Sequence, residues 1–338
     1  MDSIPLISAS QLKPFTDVLE QIGCPIEQYL HQVNLPTHIL ETPDAIIPER
    51  PLWHLAELAS QKENIEGFGF LCGENGAIEE LNGIENWLRP SPTLYHALIT
   101  FCDLVDDVSS DAKFWLVKRD NETLFCREGI KSIKLGRWPV EQYTLMVMLQ
   151  LIRMGAGKDW QPDKVYLQTE TATGFDETTV LNKAKIHIGQ PYTAIAIPHS
   201  ILCQPLQKTN QAKKYIHIPN NEYLLCSSNT QFIDVMRYIV STYLHGEYPE
   251  INIIADAIGL SSRTLQRRLT RAGTTYSDLI QQVRYGKARS LLKEDDIKLL
   301  DIAYELGYSD PAHFSRAFHR MAGVCPREFR NLQTERQT

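Results

Sequence analysis

The sequence offers no cysteine pairing: its seven cysteines stand singly at Cys24, Cys72, Cys102, Cys126, Cys203, Cys226 and Cys325, an odd number with no CxxC spacing. That excludes a disulfide framework and a cysteine-based zinc cluster, and the seven read as buried thiols. No apolar run approaches the roughly 20 residues of a membrane span, and MDSIPLISASQLKPF has neither the basic start nor the apolar core of a signal peptide. The expectation is a cytoplasmic protein with no membrane partner. Catalytic spacing is missing as well. There is no HExxH, no paired Cys/His set, and no Ser, His and Asp spaced to set a nucleophile beside a base. GFGFLCG, at residues 67–73, lacks both the Lys-Ser/Thr of a phosphate loop and a clear strand before it. No catalytic residue, metal ligand or cofactor is expected, and the chain does not read as an enzyme.

A basic surplus is absent too: 34 Lys and Arg stand against 41 Asp and Glu, a net charge of −7. Residues 251–338 hold fourteen Lys and Arg against ten Asp and Glu, hence +4, which leaves −11 for residues 1–250. An acidic first part cannot hug phosphate. The modest excess in the second means that any contact with nucleic acid depends on placed arginines and helix N-termini rather than bulk charge. What remains is a globular composition, 43% hydrophobic and 22% charged over 338 residues, long enough for about two domains.

The most constrained stretch is IAYELGYSDPAHFSRAFHRMAGVCPREFR, residues 302–330. Ile302, Ala303 and Leu306 fall at helical spacing, Gly307 supplies the positive φ that ends the helix, and Tyr308 plugs the turn. Ser309 and Asp310 are N-cap types, Pro311 suits a first turn, and Phe314 and Phe318 make an apolar edge at i, i+4. The opposite face carries Ala312, His313, Ser315, Arg316, His319 and Arg320, a composition suited to a DNA major groove.

Forty-eight residues upstream the pattern recurs in IADAIGLSSRTLQRRL, where Ile254, Ala255, Ile258, Gly259 and Ser261 match Ile302, Ala303, Leu306, Gly307 and Ser309. After the turn the copies slip by one residue, so that Leu265, Arg267 and Leu269 match Phe314, Arg316 and Phe318. Between the copies, residues 276–293 read as one helix of about 27 Å, interrupted in composition by Gly286.

Residues 231–330 resemble the DNA-binding domain of the AraC/XylS family of bacterial transcription regulators. The resemblance is carried by LSSRTLQRRL, VRYGKARSLL and the GYSDxxxFSRAFxRxxGxxPxxFR signature. It implies about seven helices with two reading helices in successive major grooves of promoter DNA, and RNA polymerase as a partner. The candidate DNA-facing residues are Ser262, Arg263, Gln266 and Arg267 upstream, and Ala312, His313, Ser315, Arg316 and Arg320 downstream.

Ahead of this, residues 11–91 read as helical. Phe15, Val18, Leu19 and Ile22 form one stripe, Ile47, Pro48 and Pro51 a turn, and Leu52, Leu55, Ala56 and Ala59 another apolar face. IEGFGFLCGENG reads as a glycine-rich approach to a turn, and TLYHALITFCDLV as a helix with Leu94, Ala97, Leu98 and Phe101 inward. KFWLVKRD and ETLFCRE alternate as a hairpin turning at Asp120-Asn121, with Phe114, Leu116, Leu124 and Cys126 inward. VEQYTLMVMLQLIRM is apolar on most sides and so lies buried beneath a sheet. DKVYLQTE, KIHI and YTAIAIP read as further strands.

SPTLYHAL, AIAIPHSILCQPL and FGFLCG also resemble the N-terminal effector domain of the ornithine-regulator-like branch of the same family, not the cupin-like arabinose barrel. The expected architecture is an α+β N-terminal effector domain followed by an all-α DNA-binding domain with two helix-turn-helix motifs. The expected boundaries are 1–207 for sensing and homodimer formation, 208–228 for a linker, and 229–338 for DNA binding with motifs near 252–272 and 300–321. Trp53, Trp87, Tyr95, His96, Trp115, Trp138 and Tyr143 are candidates for an effector pocket or for plain core. Its size fits a small amphipathic acid or a fatty acid. His187, His199 and His217 read as surface or structural. Two other readings remain: a DNA-targeted enzyme such as an alkylation-repair protein using Cys126 beside Arg127, and an assembly protein whose helical repeats only mediate contacts.

Overall fold

The computed structural model describes residues 4–76, 88–105, 112–130, 133–170, 172–175, 178–206, 232–294 and 296–334. The expected linker, Trp87, His217 and Cys226 lie outside these residues. The chain forms two compact units, Met1–Ser227 and Ser228–Thr338.

The first unit is built on a long central helix. Its elements run β1 (Leu6–Ser8), α1 (Lys13–Gln21), α2 (Ile26–Gln32), β2 (Ile46–Pro48), α3 (Arg50–Lys62), α4 (Phe68–Asn75) and α5 (Leu94–Val105). There follow β3 (Lys113–Lys118), β4 (Glu122–Glu128), α6 (Arg137–Ala156), β5 (Lys164–Tyr166), β6 (Lys185–His187), β7 (Thr193–Pro198) and the single turn α7 (His199–Leu202). A five-stranded open sheet has the order β3-β4-β7-β5-β6, antiparallel except for the parallel pair β5 and β6. Helix α6 is buried on nearly every side, as its apolar composition requires, and packs against α3, α4, α5 and β7. Two of its glutamines bond to the backbone of the neighbouring segment. Gln142 accepts from Gly69 N (3.0 Å) and donates to Glu66 O (2.8 Å), and Gln150 donates to Gly73 O (2.6 Å).

Five expectations change here. FGFLCGEN is helix α4, not the approach to a turn. Its glycines are the face that lets two helices close: a Cβ on Gly69 would stand 1.9 Å from Pro139 O, and one on Gly73 2.3 Å from Met146 Cβ. Residues 46–48 form β2, which pairs with β1 through Leu6↔Pro48 and Ile7↔Ile47, and Pro51 belongs to the first turn of α3. Three-residue strands are too short to show a period of two. In the hairpin, Trp115 faces Cys126 and Leu116 faces Phe125, so the residues expected on one inner side divide between two faces. Phe114, Leu116 and Phe125 share one face, where Phe101 meets Phe114 edge to face at 5.0 Å, whereas Leu124 and Cys126 lie on the other with Ala194 and Ala196. Finally, Ile22 is exposed as the C-cap of α1, and of the described cysteines only Cys72 and Cys126 are buried, since Cys203 and Cys325 sit where helices end or begin.

The second unit holds, among the described residues, seven helices: α8 (Phe232–Tyr243), α9 (Ile251–Ala257), α10 (Ser262–Arg271), α11 (Tyr276–Leu291), α12 (Leu299–Glu305), α13 (Pro311–Ala322) and α14 (Pro326–Thr334). Helix α11 packs on α8 and α13. Its sixteen residues span about 24 Å at 1.5 Å per residue.

Candidate nucleic-acid interface

Each helical hairpin is closed by local chemistry that the sequence states directly. Gly259 and Gly307 take φ of 72° and 71°, and the following amides return to the first helix, Leu260 N to Ala255 O at 2.8 Å and Tyr308 N to Ala303 O at 2.9 Å. In the upstream copy the next residue, Ser261, caps α10 by accepting from Thr264 N at 3.2 Å. In the downstream copy the cap is Asp310, which accepts from Ala312 N at 2.9 Å, with Pro311 at the start of α13. The caps are therefore Ser261 and Asp310, and the residue inserted in the second copy is Ser309, inside the turn.

The apolar edges pack as their spacing requires. Leu265 and Leu269 are fully buried, and Phe314 and Phe318 are 2% and 3% exposed in a cluster with Ala288, Leu292, Ile302 and Leu306. The opposite faces are open. Arg263, Gln266 and Arg267 are exposed on α10 with Ser262 half-exposed, and Ala312, His313, Arg316 and Arg320 are exposed on α13 with Ser315 half-exposed. Every candidate reader thus stands on the solvent side of its helix.

The two faces differ in chemistry. Helix α10 begins with a neutral serine cap, so its N-terminal dipole is available to a phosphate, and it presents two arginines and a glutamine able to fork onto bases. Helix α13 begins with a carboxylate, whose Oδ2 also lies 3.8 Å from His313 Nε2. That negative charge compensates the helix N-terminus and repels a phosphate there, which leaves Arg316 and Arg320 as the groups suited to backbone contact.

One residue of the VRYGKARSLL segment has a structural part that the motif itself does not state. Arg284, on α11, is 7% exposed; its Nη2 donates to Gly307 O at 2.8 Å, and its guanidinium lies 4.3 Å from the ring centre of Tyr308 and 5.4 Å from that of Tyr248. It fastens the turn of the downstream hairpin to the helix between the hairpins. Cation and aromatic rings distant in sequence produce this arrangement, and no local pattern announces it.

The first unit contains a half-open cavity of about 100 Å³ lined by residues of β1, α3, α5, β3, β4 and α6. Of the aromatics proposed to line a pocket, Tyr143 does so. Trp53 is buried and donates to Glu49 Oε1 at 2.9 Å, Trp138 donates to Thr173 O at 3.1 Å, Trp115 packs on Tyr192 across the outer sheet face, and Tyr95 and His96 are exposed. His187 stacks on Tyr166 at 4.9 Å. The polar wall is instead Arg127 with Glu49, Gln11 and Thr144. From the sequence Arg127 is only the basic neighbour of Cys126, on the outer side if Cys126 is inward; in the sheet it pairs with Phe114, on the face that carries Leu116 and Phe125. Beside it, Cys126 is fully buried and burial pushes its thiol up to about 12, the reverse of an activated acceptor.

Residues 254–332 match the helix-turn-helix domain family, and residues 23–206 match the family described as the N-terminal arabinose-binding domain of AraC transcription regulators. The transcriptional regulator VirS of Mycobacterium tuberculosis is 22% identical over 329 residues, covering 96% of this chain and 96% of its own. The ornithine utilization regulator of Pseudomonas aeruginosa is 29% identical over 144 residues, 42% of each chain. Among solved structures, the transcriptional regulator CdpR from Pseudomonas aeruginosa covers 95% of this chain and 98% of its own at 16% identity and a TM-score of 0.44. With the N-terminal family spanning over half its length and a paired helix-turn-helix unit behind it, the chain belongs to the AraC family of transcription regulators, which join an effector-binding domain to a DNA-binding one.

Proposed function

We propose that the chain is a cytoplasmic homodimer that reads promoter DNA with two unequal helices and passes an effector signal to RNA polymerase. In this reading residues 1–207 sense a small amphipathic acid and dimerise, 208–228 link, and 229–338 bind DNA. The observation that carries it is the repeated hairpin: two turns of the same geometry, each followed by a capped helix with one buried edge and one polar, exposed face. Ser262, Arg263, Gln266 and Arg267 read bases, whereas Ala312, His313, Ser315, Arg316 and Arg320 chiefly hold the backbone. No catalytic step is assigned to either unit.

Selection of binding sites from a random duplex pool tests this. Arg263→Ala and Gln266→Ala each shift the preferred bases, because a bidentate contact contributes about 1–3 kcal/mol of discrimination. Recovery of one unchanged motif by the wild type and both variants refutes base reading by this helix. Sedimentation equilibrium of the full chain tests the dimer, and a monomer at micromolar concentration with and without DNA contradicts it.

A further inference from the structure

We propose that the cavity of the first unit is the effector site and takes a small monocarboxylic acid, its carboxylate forked by Arg127 and its body lying on Leu52, Phe101, Phe114, Val140 and Val147. The inference rests on reading the chain as an effector-controlled regulator and names the chemistry of that control. Arg127 carries it. The residue is 5% exposed and is the one arginine or lysine among the residues lining this otherwise largely apolar cavity. A guanidinium offers five N–H donors in a planar fork, and a carboxylate accepts two of them side by side.

The carboxylates nearby do not take that place. Glu141 accepts from Gln168 N at 2.8 Å, from Thr169 N at 3.2 Å and from the Thr193 hydroxyl, and Glu49 accepts from Trp53 Nε1 at 2.9 Å. Both act on Arg127 through space, opposing the burial that lowers its affinity for its proton. Arg137 stands on the same side, so two cations and two carboxylates cancel, and a single negative charge enters without meeting a net charge of its own sign.

Size and polarity narrow the ligand. About 100 Å³ is smaller than the roughly 150 Å³ cavity known to hold benzene, so a long fatty-acid chain does not fit and the body is limited to about six carbons at most. A sugar suits the walls poorly. The polar lining is sparse, and the Thr144 hydroxyl is already spent on Val140 O at 2.8 Å, so several ligand hydroxyls would be buried without partners. The walls come from α3, α5, β3, β4 and α6, which places the ligand where the helical and sheet layers of the unit meet.

Titration calorimetry of the full chain with hexanoate and benzoate, and with hexanamide and benzamide as uncharged controls, tests the assignment. The acids bind and the amides bind at least about 30-fold more weakly. Arg127→Met lowers affinity for the acids about 100-fold or more, measured on the folded protein; its thermal midpoint falls, because the buried Glu49 and Glu141 lose a compensating charge. Val147→Phe fills the cavity and abolishes binding of both acids, which keeps the test decisive should Arg127→Met fail to fold. Equal affinity for acids and amides, wild-type affinity in either folded variant, or binding of neither acid overturns the proposal. A cell metabolite extract added to the same protein on DNA separates the two readings. Altered retardation with the extract, when neither acid binds, refutes the site and leaves the effector-controlled regulator standing; retardation that no extract changes sinks effector control itself.

Discussion

Replacing Arg284 by alanine removes a fastening that touches neither DNA nor effector, and its cost follows from the geometry. The hydrogen bond from Nη2 to Gly307 O is charge-assisted and contributes about 1.5–3 kcal/mol. Stacking on Tyr308 at 4.3 Å in a half-buried setting adds about 1 kcal/mol. Relief of the desolvated guanidinium offsets part of this, leaving a net loss of about 2 kcal/mol. With a urea m-value of about 1.5 kcal/mol/M for a domain of this size, the midpoint falls by about 1.3 M. The two units report separately. All five tryptophans, Trp53, Trp87, Trp115, Trp138 and Trp160, precede residue 228, whereas the second unit is helical with tyrosine as its large fluorophore. Tryptophan emission therefore keeps its wild-type midpoint while the helical circular-dichroism signal develops an earlier transition, and affinity for DNA falls with it because the downstream turn is no longer held. A circular-dichroism curve identical to the wild type refutes the fastening role. A tryptophan midpoint that moves as far as the helical one refutes its confinement to this unit.

Gly286 is exposed on α11, and an added Cβ meets nothing within 4 Å, so Gly286→Ala stabilises the second unit by about 1 kcal/mol, readable as a later helical transition in urea; a lower midpoint contradicts this. Gly69→Ala has the opposite sign. Its Cβ at 1.9 Å from Pro139 O forces α4 off α6, lowering stability by about 3 kcal/mol and shifting the tryptophan transition first, and wild-type stability counts against the close approach. Arg316→Ala weakens all duplexes by similar factors and reduces the slope of log affinity against log salt by about 1, whereas Arg267→Ala also changes base preference. Affinities for the selected site and its single-base variants across a salt series decide the matter: if Arg316→Ala loses discrimination at one base pair and keeps its salt slope, the downstream helix reads sequence.

Much of the DNA-binding half was legible from residues alone because its signals are local. A glycine at positive φ, a cap one to three residues on and an apolar pair at i, i+4 specify a helical hairpin within about twenty residues, and the second copy repeats the statement. Even there, the position of the inserted residue needed the structure, because Ser309 and Asp310 are both cap types and only the hydrogen bond to Ala312 N distinguishes them. Gly286 was ambiguous for a related reason: whether a missing Cβ makes room for a neighbour is a fact about what lies opposite. The first half hid more. GFGFLCG has the composition of a turn, yet it is a helix because Pro139, Gln142 and Met146, some seventy residues away, demand its glycines. Alternation in KFWLVK and ETLFCRE marked two strands, but both faces are partly buried, so the pattern did not say which residues look at α5. The sequence by itself determined the repeated hairpins, the type of the longer periodic elements and the family, since these depend on contacts within a few turns of chain. The sheet order, the helix-to-helix approach at Gly69 and the meeting of Arg127 with Phe101, Val140 and Val147 in one cavity were decided by tertiary structure alone, because each joins segments whose separation in sequence leaves no periodic trace.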